Sequence, residues 1–301
     1  IMKENIIINE VGLRECFQNL KKLYRIEDKL QLLDYLILSG LKHIQLCSFV
    51  SPKILPQMAD AEDLYSSAPD IDNVKYSAFI LNVKGFHRAV NCGFKRLETS
   101  ISLDDDYGLI NTGKNERSAL NELKKISDLA NKFNIQLRIG LQCAWGRKNK
   151  KINYQILSDK IDKIVAMNPY KICLADTAGV ARPETINECL RIVYPLIKNI
   201  PLVMHFHQTN ERWQDNVITA IKIGVREFDS AVSGKGGSPF LIKSKGNIPT
   251  EELVKLIDER GFYSGVDLSI IDKSALKLNR IVNKIPTSTI NLFNQMKESL
   301  K

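Results

Sequence analysis

The chain lacks several things, and each lack removes a class of function. None of its 301 residues lie in a run approaching the roughly 20 apolar residues of a membrane-crossing helix, so no membrane role is expected. The start offers only Ile6-Ile7-Ile8, too short for a secretory h-region. Met2 is read as the first native residue, and the cytoplasm is the expected compartment. Cysteine occurs only at 16, 47, 92, 143, 173 and 189, with no CxxC pair. That scatter reads as reduced thiols, not as disulfides or a thiolate zinc site. No G-x-G-x-x-G loop follows the first apolar run, where residues 12–20 read GLRECFQNL, so a dinucleotide-binding open sheet is not expected. Linkers, low-complexity segments and sequence repeats are also missing.

What remains is ordinary globular material, 44% apolar and 26% charged. The net charge of +9 comes from basic residues spread along the chain, without the aromatic interleaving of a nucleic-acid surface, so no nucleic-acid partner is expected. A polyanionic small molecule fits the charge, as does a generally basic surface.

Short β-branched runs recur eight times, at 6–11, 43–49, 75–81, 96–102, 136–144, 171–176, 201–207 and 227–233. Between them lie amphipathic stretches of helical spacing, among them 26–39, 118–133 and 152–167, with Pro183 where a first helical turn would begin. Eight strand–helix alternations imply parallel strands, right-handed crossovers and closure into a (β/α)8 TIM barrel over about 6–249. Residues 250–301 read as extra C-terminal helices, and the whole chain as one domain.

In such barrels the chemistry sits at the C-terminal ends of the strands. The seventh run ends His205-Phe206-His207, and residues two apart on a strand share a face, so both imidazoles point one way. The first run ends with Glu10, Arg14 and Glu15, bringing carboxylate and guanidinium to the same rim; Arg14 is expected to be solvated there. Gly246-Asn247 follows the eighth run and adds an amide oxygen. Two imidazoles, a carboxylate and an amide suit a hard or borderline divalent cation, Mg²⁺ or Mn²⁺ best. Asp176 ends the sixth run, either as a helix cap or as an acid/base group.

These residues carry a family resemblance. Residues 10–19 (EVGLRECFQN), 48–58 (SFVSPKILPQM) and 176–180 (DTAGV), with His205, His207 and 234–247, resemble the 3-hydroxy-3-methylglutaryl-CoA lyases of the DRE-TIM metallolyase superfamily. The likeness runs in order from about residue 6 to about 280. It implies a metal-assisted retro-aldol cleavage of a hydroxyacyl-CoA, with a small-molecule acyl-CoA or hydroxy/keto acid as partner and a possible homodimer. By resemblance, His205, His207, Asn247 and Glu15 hold the metal, Arg14 stabilises the enolate, Asp176 is an acid/base and Lys21 lies near the CoA phosphates.

Four departures stand out. Glu15 replaces the family's aspartate and is followed by Cys16-Phe17 in place of Gly-Leu; Gln45 replaces a glutamate. Ser238 replaces the cysteine of the GGCP loop, and an alcohol is a poor proton shuttle beside a thiol of pKa about 8.5. Residues 147–151 (RKNKK) stand where the family has Cys-Pro-Tyr-Glu-Gly. Cys16, Cys47 or Cys143 could stand in for the lost thiol, although small core residues is the commoner role. Three readings are open: this lyase with an altered substrate, a Claisen- or aldol-type enzyme using the same enolate, or a ligand-binding descendant.

Overall fold

The computed structural model describes residues 4–208, 212–237 and 246–283. Eight parallel strands close in sequence order: β1 (Ile7–Glu10), β2 (His43–Ser48), β3 (Lys75–Phe79), β4 (Arg96–Ser102), β5 (Gln136–Gln142), β6 (Lys171–Ala175), β7 (Leu202–His205) and β8 (Glu227–Ser230). Each expected strand is present, trimmed by a residue or more at most ends. Asparagine caps start several of the intervening helices: Asn115 Oδ1 accepts from Ser118 N–H at 2.9 Å at the start of Glu116–Lys132, and Asn153 does the same for Tyr154–Val165. Pro183 occupies the first turn of Pro183–Ile197.

Strand alternation sorts side chains into two environments. In β5, Leu137, Ile139 and Leu141 join the apolar layer beneath the helices, while Gln136, Arg138, Gly140 and Gln142 line cavities inside the barrel. Other strands behave alike, with Ile44, Leu174 and Phe228 facing outwards and Gln45, Glu98 and Asp229 facing inwards. Barrels of this architecture commonly fill the interior with branched apolar side chains. Here the inside is polar, and the apolar core is the shell between strands and helices.

β2 breaks the alternation once. Its register against β3 shifts between Gln45 and Cys47, a bulge that turns Cys47 outwards to the carbonyl of Ala61, 3.9 Å from Sγ. After β8 come the helices Thr250–Glu259 and Leu268–Asn283. The latter packs along Ile26–Leu38, and Tyr24 donates its hydroxyl to the Val282 carbonyl at 3.1 Å. Among the described residues no helix is long and apolar enough to cross a membrane.

Candidate active site and metal centre

A cavity of about 530 Å³ opens at the C-terminal ends of the strands. His205 closes β7, and His207 lies just past the strand in an isolated bridge with Asn247. The strand is shorter than expected, yet the two imidazoles still share a face, with Nε2 atoms 3.2 Å apart. Phe206 points away and packs against Trp145, ring centroids 5.5 Å apart. Behind His205, Nδ1 meets Asp229 Oδ2 at 3.1 Å, which orients the ring; burial lowers its imidazole, but Asp229 and Glu15 outweigh it and raise it above the ordinary histidine value. Burial, then the neighbouring His205, hold His207 down to about 4, so it is neutral at physiological pH.

The helix Gly12–Gln18 starts directly after β1 and swings Arg14 and Glu15 over the barrel mouth. Arg14 Nη2 lies 2.8 Å from Glu15 Oε1, and Arg14 Nε donates to Gln45 Oε1 at 2.5 Å. The guanidinium covers the Phe79 ring, 4.9 Å from its centroid. Arg14 is only 9% exposed, which corrects the expectation of a solvated rim position: the short helix folds it inwards between Phe79 and Gln45.

Asn247 Nδ2 donates to Glu15 Oε2 at 2.6 Å, and Gly237 N–H to the same oxygen at 3.1 Å. Burial raises the Glu15 carboxyl, but Arg14, His205 and Asn247 outweigh it and hold it at about 2, an anion at neutral pH. Gly236 makes this approach possible. At φ +115° it sits where a Cβ would come within 2.7 Å of both Asn247 Nδ2 and Glu15 Cβ.

The donors fit a hard or borderline cation. Glu15 is anionic, His207 neutral, and Asn247 Oδ1 is buried with no hydrogen-bond partner, an acceptor awaiting an electrophile. Among the described residues no three His, Cys, Asp or Glu side chains are already gathered as a ready ligand set. Glu15 is held by Arg14 and Asn247, contacts for which a cation would compete.

Other expected residues are distributed unevenly. Gln45 is buried and lies against Arg14; Lys21 is exposed on the cavity rim. Asp176 is buried just past β6, its two oxygens accepting N–H from Val180 at 2.8 Å and Ala181 at 3.0 Å, as a loop cap does. Burial raises its carboxyl to about 6 against these bonds. Ser238 lies outside the described residues. Burial pushes the Cys16 and Cys143 thiols up to about 12, and Cys47 well above its usual range, so none is poised to shuttle protons. In the replaced loop, Arg147 and Lys150 pair with Asp104 and Asp106.

Sequence reasoning missed Asp229, Arg138 and Glu98. Arg138 forks onto Asp229 at 2.6 and 2.9 Å and also pairs with Glu98, so a buried charge network carries His205 from below. The signal was present: charged residues at inward positions of three strands that would otherwise be apolar.

The family model for HMGL-like proteins matches residues 5–276. The chain belongs to the HMGL-like family. The cytoplasmic 3-hydroxy-3-methylglutaryl-CoA lyase of Homo sapiens is 29% identical over 290 residues, covering 96% of this chain and 78% of the relative. The HMG-CoA lyase of Brucella melitensis superposes with a TM-score of 0.88 at 27% identity, covering 93% of this chain and all of that one. An HMG-CoA lyase from Acinetobacter baumannii, solved with coenzyme A and 3-methylmalate, matches with a TM-score of 0.87 at 27% identity, covering 92% of this chain and 91% of that one. The HMGL-like match spans every strand of the barrel and the candidate site.

Proposed function

We propose that this HMGL-like chain is a divalent-metal-dependent carbon–carbon lyase. Its substrate would be a 3-hydroxy-3-methylglutaryl-CoA-like hydroxyacyl-CoA, cleaved by retro-aldol chemistry. One observation carries the reading: the facing Nε2 atoms of His205 and His207 and the Glu15 carboxylate line the mouth of one cavity with Arg14, and Asn247, its Oδ1 unpartnered, bonds Glu15 through its amide nitrogen. Mg²⁺ or Mn²⁺ held by these four residues would supply Lewis acidity towards the substrate's hydroxyl and acyl oxygens.

The chain's own residues do the rest. Arg14 presents a guanidinium fixed by Gln45 and Glu15, a preorganised donor for the oxygen on which enolate charge grows as the carbon–carbon bond breaks. Asp176, with its carboxyl raised to about 6, is mostly an anion at neutral pH but lies close enough to it to accept and return a proton, and serves as the acid/base group. Lys21 at the rim offers its ammonium to the phosphates of the CoA moiety, while Val50, Ile54 and Leu55 give that side of the mouth an apolar wall. Gln45, where the relatives' pattern has glutamate, makes the pocket one charge less negative and leaves Arg14 fewer anionic competitors.

The test is incubation with 3-hydroxy-3-methylglutaryl-CoA and Mn²⁺ or Mg²⁺. Acetoacetate formed only with metal supports the lyase. No acetoacetate, but free CoA released from an acyl-CoA plus a 2-oxo acid, transfers the chemistry to a Claisen-type acyltransferase. Inactivity in both, with no thermal stabilisation by either ion, leaves a ligand-binding protein.

A further inference from the structure

At the end of the barrel remote from the candidate active site, six strands open onto a second, smaller cavity. His43, Lys75, Arg96, Gln136, Lys171 and Glu227 are the first residues of β2, β3, β4, β5, β6 and β8, and all six line it. Its volume of about 40 Å³ holds roughly three water-sized groups. Glu98 and Arg138 line both cavities and form the floor between them.

The charge at this opening is unbalanced. Arg138 is engaged by Glu98 and Asp229, and Lys171 by Glu227 at 2.5 Å. Lys75 and Arg96 have no carboxylate within ion-pair range among the described residues. Three polar side-chain atoms in the lining are buried without a hydrogen-bond partner: Gln45 Nε2, Arg96 Nε and Gln136 Oε1. Gln45 is only 2% exposed; its Oε1 is taken by Arg14 above, while the amide nitrogen is left as an unused donor. The Gln136 amide can turn either end inwards, since a half-turn about its last bond exchanges oxygen and nitrogen. His43 registers the field: burial first, then Lys171, Lys75, Arg96 and Arg138, hold its imidazole at about 4.

Two uncompensated cations and a buried amide donor around a space of this size form a built receptor for negative charge. The geometry points to a binding site for a small oxyanion, a phosphate or carboxylate group, at the N-terminal mouth of the barrel, gripped by Arg96 and Lys75 with Gln45 Nε2 at its inner end. Arg96 supplies the planar fork that matches such a group and Lys75 a point charge. The site shares Gln45 with the support of Arg14, but its argument does not depend on the proposed reaction.

Inorganic phosphate is the probe, titrated at constant pH and ionic strength into the whole metal-free protein and followed by the imidazole proton signals. The chain has four histidines, and His87 is exposed on the helix Val83–Cys92 and does not line this cavity. The His43 signal should move saturably while that of His87 stays. Arg96→Met and Lys75→Met should each weaken the apparent affinity about tenfold or more, the size expected for loss of a charge-assisted contact, with unchanged circular dichroism. Acetate in place of phosphate distinguishes a carboxylate from a phosphate receptor. A His43 signal that does not respond to either anion, or one that responds equally in wild type and Arg96→Met, overturns the proposal. If either variant fails to fold, the wild-type His43 response decides alone.

Discussion

His205 and Asp229 are direct register partners across the β7–β8 pairing, and their side chains meet at 3.1 Å. The same carboxylate takes the fork of Arg138, so one buried group fixes both the imidazole above and the guanidinium beside it. Asp229→Asn keeps the shape and removes the charge. Mn²⁺ affinity, measured by calorimetry on EDTA-stripped protein, should weaken by roughly 10–100-fold, the usual effect of losing a partner behind a metal-binding histidine. An unchanged affinity would show that Asp229 serves the barrel alone.

Arg14→Gln tests the proposed enolate donor. Turnover should fall by about 10²–10³, the range for removing one preorganised oxyanion donor. Since Arg14 is buried against Glu15, the variant should also lose on the order of 1–3 kcal/mol in urea unfolding, with Asn247 and Gly237 still holding the carboxylate. Full activity in a folded variant would remove Arg14 from the mechanism.

Glu10 gives a pH signature unconnected with catalysis. Its carboxyl, raised from 4.5 to about 7, is pushed up by burial against hydrogen bonds from Thr250, Val232 and Gly12. The folded state therefore holds the proton more tightly than the unfolded chain. Its stabilising effect is present below about pH 4.5 and is lost as pH rises through about 7, up to about 3 kcal/mol in all. Glu10→Gln should flatten this part of the stability curve, read from urea midpoints at pH 5 and pH 7.5. An identical slope in wild type and variant would mean that another group titrates.

Ser238→Cys supplies the thiol that the family resemblance implies at this position. Acetoacetate formation from 3-hydroxy-3-methylglutaryl-CoA should rise about tenfold or more, within the span attributed to one well-placed proton donor. No rise in a metal-loaded, folded variant would mean that this position no longer takes part in proton transfer.

Much of the barrel was legible because its signal is local. Eight short β-branched runs separated by helical spacing leave few ways to close, and the parity of His205 and His207 held although the strand ends between them. Cys47 shows where parity fails: two residues from Gln45 it should share the inner face, but the bulge between them reverses it, and no residue type announces a bulge. The solvation of Arg14 was misread because burial at a rim depends on how far a neighbouring helix leans, which is a tertiary property. Asp229 lay in plain view, but its role exists only through its partners, Arg138 at 91 residues' remove and His205 on the next strand.

A charged lumen inside an apolar sleeve changes what mutation can do here. Trimming an outward leucine leaves a void that neighbours partly fill, whereas neutralising Arg138 strands two buried carboxylates at once. The inner face is thus rewritten only in concert: a lone replacement is punished, while a matched exchange of cation and anion could pass almost unnoticed by stability and still reset the electrostatic potential beneath the cavity floor.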